Sequence, residues 1–74
     1  MIYYVIELQT STTSGATLCT SYTDRDTAEQ AYHTVLADAA VSSVYRHGAM
    51  LVNQDMFVIK SECYQHDVPV NAEE

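Results

Sequence analysis

The sequence predicts an α+β domain of order ββαββ, a largely antiparallel four-stranded sheet with one helix packed on one face. Three observations carry this. Residues alternate with period two near both ends of the chain, apolar residues recur at helical spacing between those stretches, and short polar tracts sit where hairpins need them.

Tyr3 to Gln9 opens the first hairpin. Tyr4, Ile6 and Leu8 fall on one side, while the other side turns polar at Glu7 and Gln9, as in a strand with one covered face. Thr10-Ser11-Thr12-Thr13-Ser14-Gly15 carries only small polar side chains and ends in glycine, so it reads as a loop returning the chain beside the first strand. Ala16 to Thr23 is the returning strand. It is less apolar than the first, which places it nearer an edge, with Leu18 and Tyr22 directed to the core.

The helix follows. Asp26-Thr27-Ala28-Glu29 fits a capping box in which Asp26 accepts from the amide three residues on and Glu29 reaches back to the cap; Asp24 is the alternative cap. Both aspartates favour the positive end of the helix dipole. Ala28, Ala31, Tyr32, Val35, Leu36, Ala39 and Ala40 then form one apolar stripe whose small members permit close approach to a sheet. Ser42 and Ser43 end it without a glycine cap.

Beyond the helix the chain reads as irregular through Arg46-His47-Gly48, extended at Ala49 to Val52, turning at Asn53-Gln54-Asp55, and extended again from Met56 to Tyr64. On this last strand Phe57, Ile59 and Cys63 share one face; Met56, Val58, Lys60, Glu62 and Tyr64 share the other. The charges on the second set point it away from the core. Residues 1–66 thus make one domain, and 67–74, with Pro69 and a terminal acidic pair, read as a flexible acidic tail in which Val68 to Val70 is an alternative edge strand.

The totals bound the function. Seventy-four residues support a single core, and a domain this small hides only about 60% of its unfolded surface. Ten carboxylates against three Lys or Arg give a formal charge of -7. Arg25, Arg46 and Lys60 are too few and too scattered to neutralise a phosphate backbone, so direct nucleic-acid binding is not expected, whereas a basic partner is compatible with the charge. No apolar run is long enough to span a membrane. The opening Met1 to Glu7 lacks the basic segment of a secretory leader, which makes the cytoplasm the expected location and free, buried thiols the expected state of Cys19 and Cys63.

Site chemistry is sparse. Glu29 and His33 are spaced to pair across a helical turn, ordinarily a surface feature. Cys63 and His66 lie within local reach of one another and make half of a zinc-ligand set at most; as a nucleophile Cys63 is expected to be inert, because it shares the inner face with Phe57 and Ile59. Glu7 and Glu62 are candidate cross-strand neighbours beside Lys60. Gly15 and Gly48 are single turn glycines, so no phosphate loop is present, and no cofactor or metal is assigned.

One helix covers only one side of such a sheet. By the alternation above, Tyr3, Val5, Met56 and Val58 fall on the uncovered side, joined by either Ala49 and Leu51 or Met50 and Val52. The expectation is therefore a small protein-interaction module, homodimeric through that face, with Tyr3, Val5, Met56 and Val58 in contact and Glu7, Lys60 and Glu62 at the rim. Two alternatives stand beside it. One is an acidic inhibitor whose Asp24, Asp26, Asp38, Asp55 and Glu62 mimic nucleic-acid charge toward a basic partner; the other is a small enzyme built around His47 or His66.

Overall fold

The computed structural model describes residues 1–66; the tail at 67–74, with its alternative strand at Val68 to Val70, lies outside the described residues. Strands β1 (Tyr3–Thr10) and β2 (Gly15–Tyr22), helix α1 (Arg25–Ala40), and strands β3 (Arg46–Asn53) and β4 (Val58–Gln65) follow in that order. All neighbouring strands are antiparallel, and their spatial order is β2-β1-β3-β4. Two hairpins meet along β1 and β3, and α1 is the connection between them.

Polar side chains close both hairpins. Ser11 N–H donates to Ser14 O at 2.8 Å, while Ser11 Oγ accepts from the amides of Thr13 and Ser14 at 3.2 and 2.9 Å. In the second hairpin Met56 N–H donates to Asn53 O and Asn53 N–H to Phe57 O, at 3.0 and 3.1 Å. Asn53 Oδ1 accepts from the Asp55 and Phe57 amides. The third residue of such a loop needs positive φ, normally supplied by glycine; here Met56 adopts it, with φ 67°.

Asp24, not Asp26, caps α1. Its backbone is extended, and its Oδ2 accepts from both the amide and the hydroxyl of Thr27 at 3.0 Å. Glu29 does not reach back to the cap, because its carboxylate is engaged by Lys60 of β4 at 2.6 Å and by Arg25 at 3.2 Å. The helix ends at Ala40, and His66 closes its last turn by donating Nε2–H to Ala39 O at 2.7 Å.

Val5, Ala28, Tyr32, Ala49 and Leu51 form the buried cluster. Tyr3, Tyr22 and Ile59 from the sheet, and Ala31, Val35 and Leu36 from α1, pack against it. The helix stripe therefore faces the sheet as its spacing predicts, except that Ala40 is exposed. The sheet's side assignment is the reverse of the expected one. Val5 is 4% exposed beneath α1, so Tyr3, Val5, Glu7 and Gln9 look toward the helix and Tyr4, Ile6 and Leu8 look away. Both sides of β1 are apolar enough to be covered. Its orientation is set by register, which puts Val5 opposite Leu51 on β3.

β4 is turned in the same way. A bulge between Leu51 and Val52 sets Val58 opposite Val52 and Lys60 opposite Leu51, leaving Ile59 as the extra residue. Ile59 reaches the core, as expected. Phe57, by contrast, is 66% exposed in the turn, and Cys63 is exposed on the open side. Lys60, Glu62 and Tyr64 share the side of Leu51, Ala49 and His47, beneath α1. Leu18 is also corrected: it lies on the helix side of β2 but beyond the helix's reach, 63% exposed.

The segment Arg46-His47-Gly48 is regular strand, not irregular chain. Gly48 explains how. A Cβ there would lie 2.5 Å from Glu62 O and 2.8 Å from Cys63 Cα, so only glycine lets β3 and β4 approach this closely.

Candidate protein interface

The open face is built from alternate residues of all four strands. Tyr4, Ile6 and Leu8 of β1 stand beside Met50 and Val52 of β3, giving a central apolar strip. Thr17, Cys19 and Ser21 flank it on β2, and Val58, Ser61 and Cys63 flank it on β4. Leu8 and Val58 are 40% and 47% exposed, and Val52 is buried among its neighbours. Where Gly48 lacks a side chain, the face sinks into a shallow groove of about 390 Å³ bounded by Leu8, Met50 and Cys63, with Arg46 at one end.

Charge is distributed unevenly. Among the described residues, Arg46 is the one charged group at a strand position on the open face, and its guanidinium lies 5.5 Å from the Tyr45 ring. The described carboxylates all sit elsewhere. Glu7 and Glu62 are on the helix side of the sheet, Asp24 caps α1, Asp26, Glu29 and Asp38 are on α1 itself, and Asp55 is in the β3–β4 turn.

The residues expected to form the interface are therefore not brought together as one exposed surface. Val58 is on the open face. Met56 is 73% exposed in the turn. Tyr3 and Val5 belong to the core, Lys60 is paired to Glu29, and Glu7 and Glu62 flank Ala49 on the helix side. The missed signal was the charge itself: Glu7, Glu29, His47 and Lys60 are complementary and find one another across elements instead of marking the solvent side.

The tightest polar pair is His47 with Glu7. His47 Nε2–H donates to Glu7 Oε2 at 2.6 Å, with His47 only 5% exposed, and Gln9 Nε2 donates to the same oxygen at 3.1 Å. The hydrogen bond from His47 holds the Glu7 carboxyl below its ordinary range, against the opposing effect of burial. Lys60, bonded to Glu29, lowers that carboxyl likewise, and burial raises the Tyr32 phenol. His47 Nδ1 has no hydrogen-bond partner among the described residues. The pair does not activate a cysteine, because the thiols of Cys19 and Cys63 lie on the opposite face of the sheet. The pair fastens β1 to β3.

Both cysteines are free and exposed, which overturns the expectation that they are buried. With β1 and β3 between them, Cys19 and Cys63 are about three strand spacings, roughly 14 Å, apart, too far for a disulfide within the chain. His33 stands 3.7 Å from Glu29 on the exposed side of α1, as its spacing predicts. Among the described residues no cluster of three or more His, Cys, Asp or Glu side chains is arranged to hold a metal ion, and no helix is long and apolar enough to cross a membrane. No protein-family model matches this chain, and comparison with curated proteins and with solved structures returned no match, so its site rests on its own geometry.

Proposed function

We propose that this protein is a small interaction module that assembles with a second copy of itself by packing the open sheet faces together. The observation that carries this is an apolar face on which none of the described carboxylates lies, in a chain of formal charge -7. Two copies approaching through Tyr4, Ile6, Leu8, Met50 and Val52 bring no acidic strand residue against another. Approach by any surface carrying α1 or the β3–β4 turn would do so. The size also fits. Four strands of eight residues present a face about 19 Å by 26 Å, so two faces remove roughly 1,000 Å² from water, near the lower limit for a specific interface. The carboxylates named for nucleic-acid mimicry are split between both ends of α1, the far turn and the helix side of β4, which favours the interaction reading over the inhibitor.

Light scattering over a concentration series tests it. The expected result is an assembly insensitive to salt, since apolar contact is weakly screened, and its mass should halve in Leu8→Asp while circular dichroism is unchanged. Leu8 is exposed enough for the substitution to spare the fold. A Leu8→Asp protein of unchanged mass would overturn the proposal.

A further inference from the structure

The sheet's two edges differ in how they are guarded. β4 carries Lys60 and Glu62 and is broken by a bulge, devices that discourage pairing with another strand. β2, Gly-Ala-Thr-Leu-Cys-Thr-Ser-Tyr, has no charge, no proline and no register shift over eight residues, and it is exposed at all but its last position. The bond from Ser11 N–H to Ser14 O sets the phase of the β1–β2 ladder. Counting in twos, Gln9–Ala16, Glu7–Leu18, Val5–Thr20 and Tyr3–Tyr22 exchange the ladder's hydrogen bonds. The backbone N–H and C=O groups of Gly15, Thr17, Cys19 and Ser21 consequently point away from β1, along the free edge.

We infer that β2 is a strand-pairing site whose occupant is β2 of a second copy, aligned antiparallel about a twofold axis through Leu18. In that register Gly15 pairs with Ser21 and Thr17 with Cys19 of the other chain, so all four outward residues on each copy are used. Leu18, the 63% exposed side chain on the helix side, comes to lie opposite its own mate in a closely spaced, non-hydrogen-bonded pair. An uncharged strand opposes no like charges when paired with itself, although the chain is strongly acidic. Since the second edge is guarded, pairing stops at two copies instead of propagating into a fibre.

This contact is independent of the face packing proposed above. The edge twofold is perpendicular to the sheet and leaves both helices on one side, joining the open faces into one eight-stranded surface. The face twofold lies in the sheet plane. Where the face axis crosses the edge axis, the two contacts close at four chains.

The test combines light scattering with amide hydrogen exchange on the full chain. Wild type is expected as a tetramer whose Thr17, Cys19 and Ser21 amides are protected in a concentration-dependent way. Leu18→Lys, at an exposed position, should halve the mass and release those amides while the β1–β2 ladder stays protected. Leu8→Asp alone should also halve the mass but leave the three amides protected, and the double variant should be monomeric. In a chain carrying Cys19→Ser and Cys63→Ser, Leu18→Cys should form an intermolecular disulfide on mild oxidation, because the pair's Cα spacing falls within disulfide range. Unprotected exchange at Thr17, Cys19 and Ser21 at every concentration would overturn the edge pairing even if the face contact stands. Loss of assembly in Leu8→Asp with the three amides released would do so as well, by tying all protection to the face.

Discussion

The covered and open faces of the sheet differ less in apolar content than in charge. Beneath α1 lie Tyr3, Val5, Ala49, Leu51 and Ile59; on the open side lie Tyr4, Ile6, Leu8, Met50 and Val52. Either set would serve as a core. The covered side, however, also carries Glu7, His47, Lys60 and Glu62, while Arg46 is the charged strand residue described on the open side. A narrow helix explains this inversion. It covers the middle of the sheet with Ala28, Ala31, Tyr32, Val35 and Leu36, and polar side chains around its footprint reach one another or the helix, as Lys60 reaches Glu29. In this small domain the charges mark the margin of the core, and among the described residues no carboxylate lies on the other side.

Val5 and Ile6 are adjacent in sequence and on opposite faces, so the same substitution at each separates the role of the covered face from that of the open one. Val5→Asp places a carboxylate in the buried cluster and removes a core side chain, a loss on the order of 4 kcal/mol. A chain of this length has roughly 4 to 11 kcal/mol in total, so Val5→Asp is expected to be largely unfolded by circular dichroism. Ile6→Asp is expected to retain a cooperative melt while losing association through the open face, which halves the mass. The reverse pair of outcomes would exchange the two faces.

The covered side's polar margin has a smaller, pH-dependent effect. Glu7 titrates below its ordinary 4.5 in the folded chain, so the unfolded chain binds its proton more readily. Its contribution is present in full above about pH 4.5 and is lost as pH falls through the lower folded value. Denaturant titrations between pH 3 and 6 should therefore show a steeper acid loss for wild type than for Glu7→Gln. Equal slopes would mean that the bond from His47 does not distinguish the two states of Glu7.

The smallest expected effect is at the hairpin turn. Met56 holds positive φ at a cost of about 1 to 2 kcal/mol for an L-residue, and glycine relieves that cost at an entropic penalty of roughly 0.5 to 1. Met56→Gly should raise the denaturation midpoint by the equivalent of up to about 1 kcal/mol without altering assembly through the open face. A lowered midpoint would mean that the exposed Met56 side chain stabilises the turn by more than its backbone strain.

Much of the architecture was legible in local chemistry. The serine-rich loop, the helical stripe from Ala28 to Ala39, the Asn53 turn and the two alternating ends specify the ββαββ order, because each depends on residues near in sequence. The helix cap was legible only as a choice. Asp24 and Asp26 have the same chemistry, and the pairing of Glu29 with Lys60, 31 residues away, removes the carboxylate a cap at Asp26 would have used. The fate of the cysteines was hidden for a related reason. Cys63 alternates with Ile59 in an unbroken strand, and the bulge beside Leu51 puts the two on opposite sides.

Four strands, one helix, an apolar strip on each side of β1 and an uncharged β2 follow from local chemistry, since propensity, capping and turn geometry act over a few residues. Which strip is covered was decided by the tertiary structure. A period-two pattern with apolar residues in both phases has no preferred side until Val5 meets Leu51, Glu7 meets His47 and Lys60 meets Glu29, contacts between residues far apart in the chain.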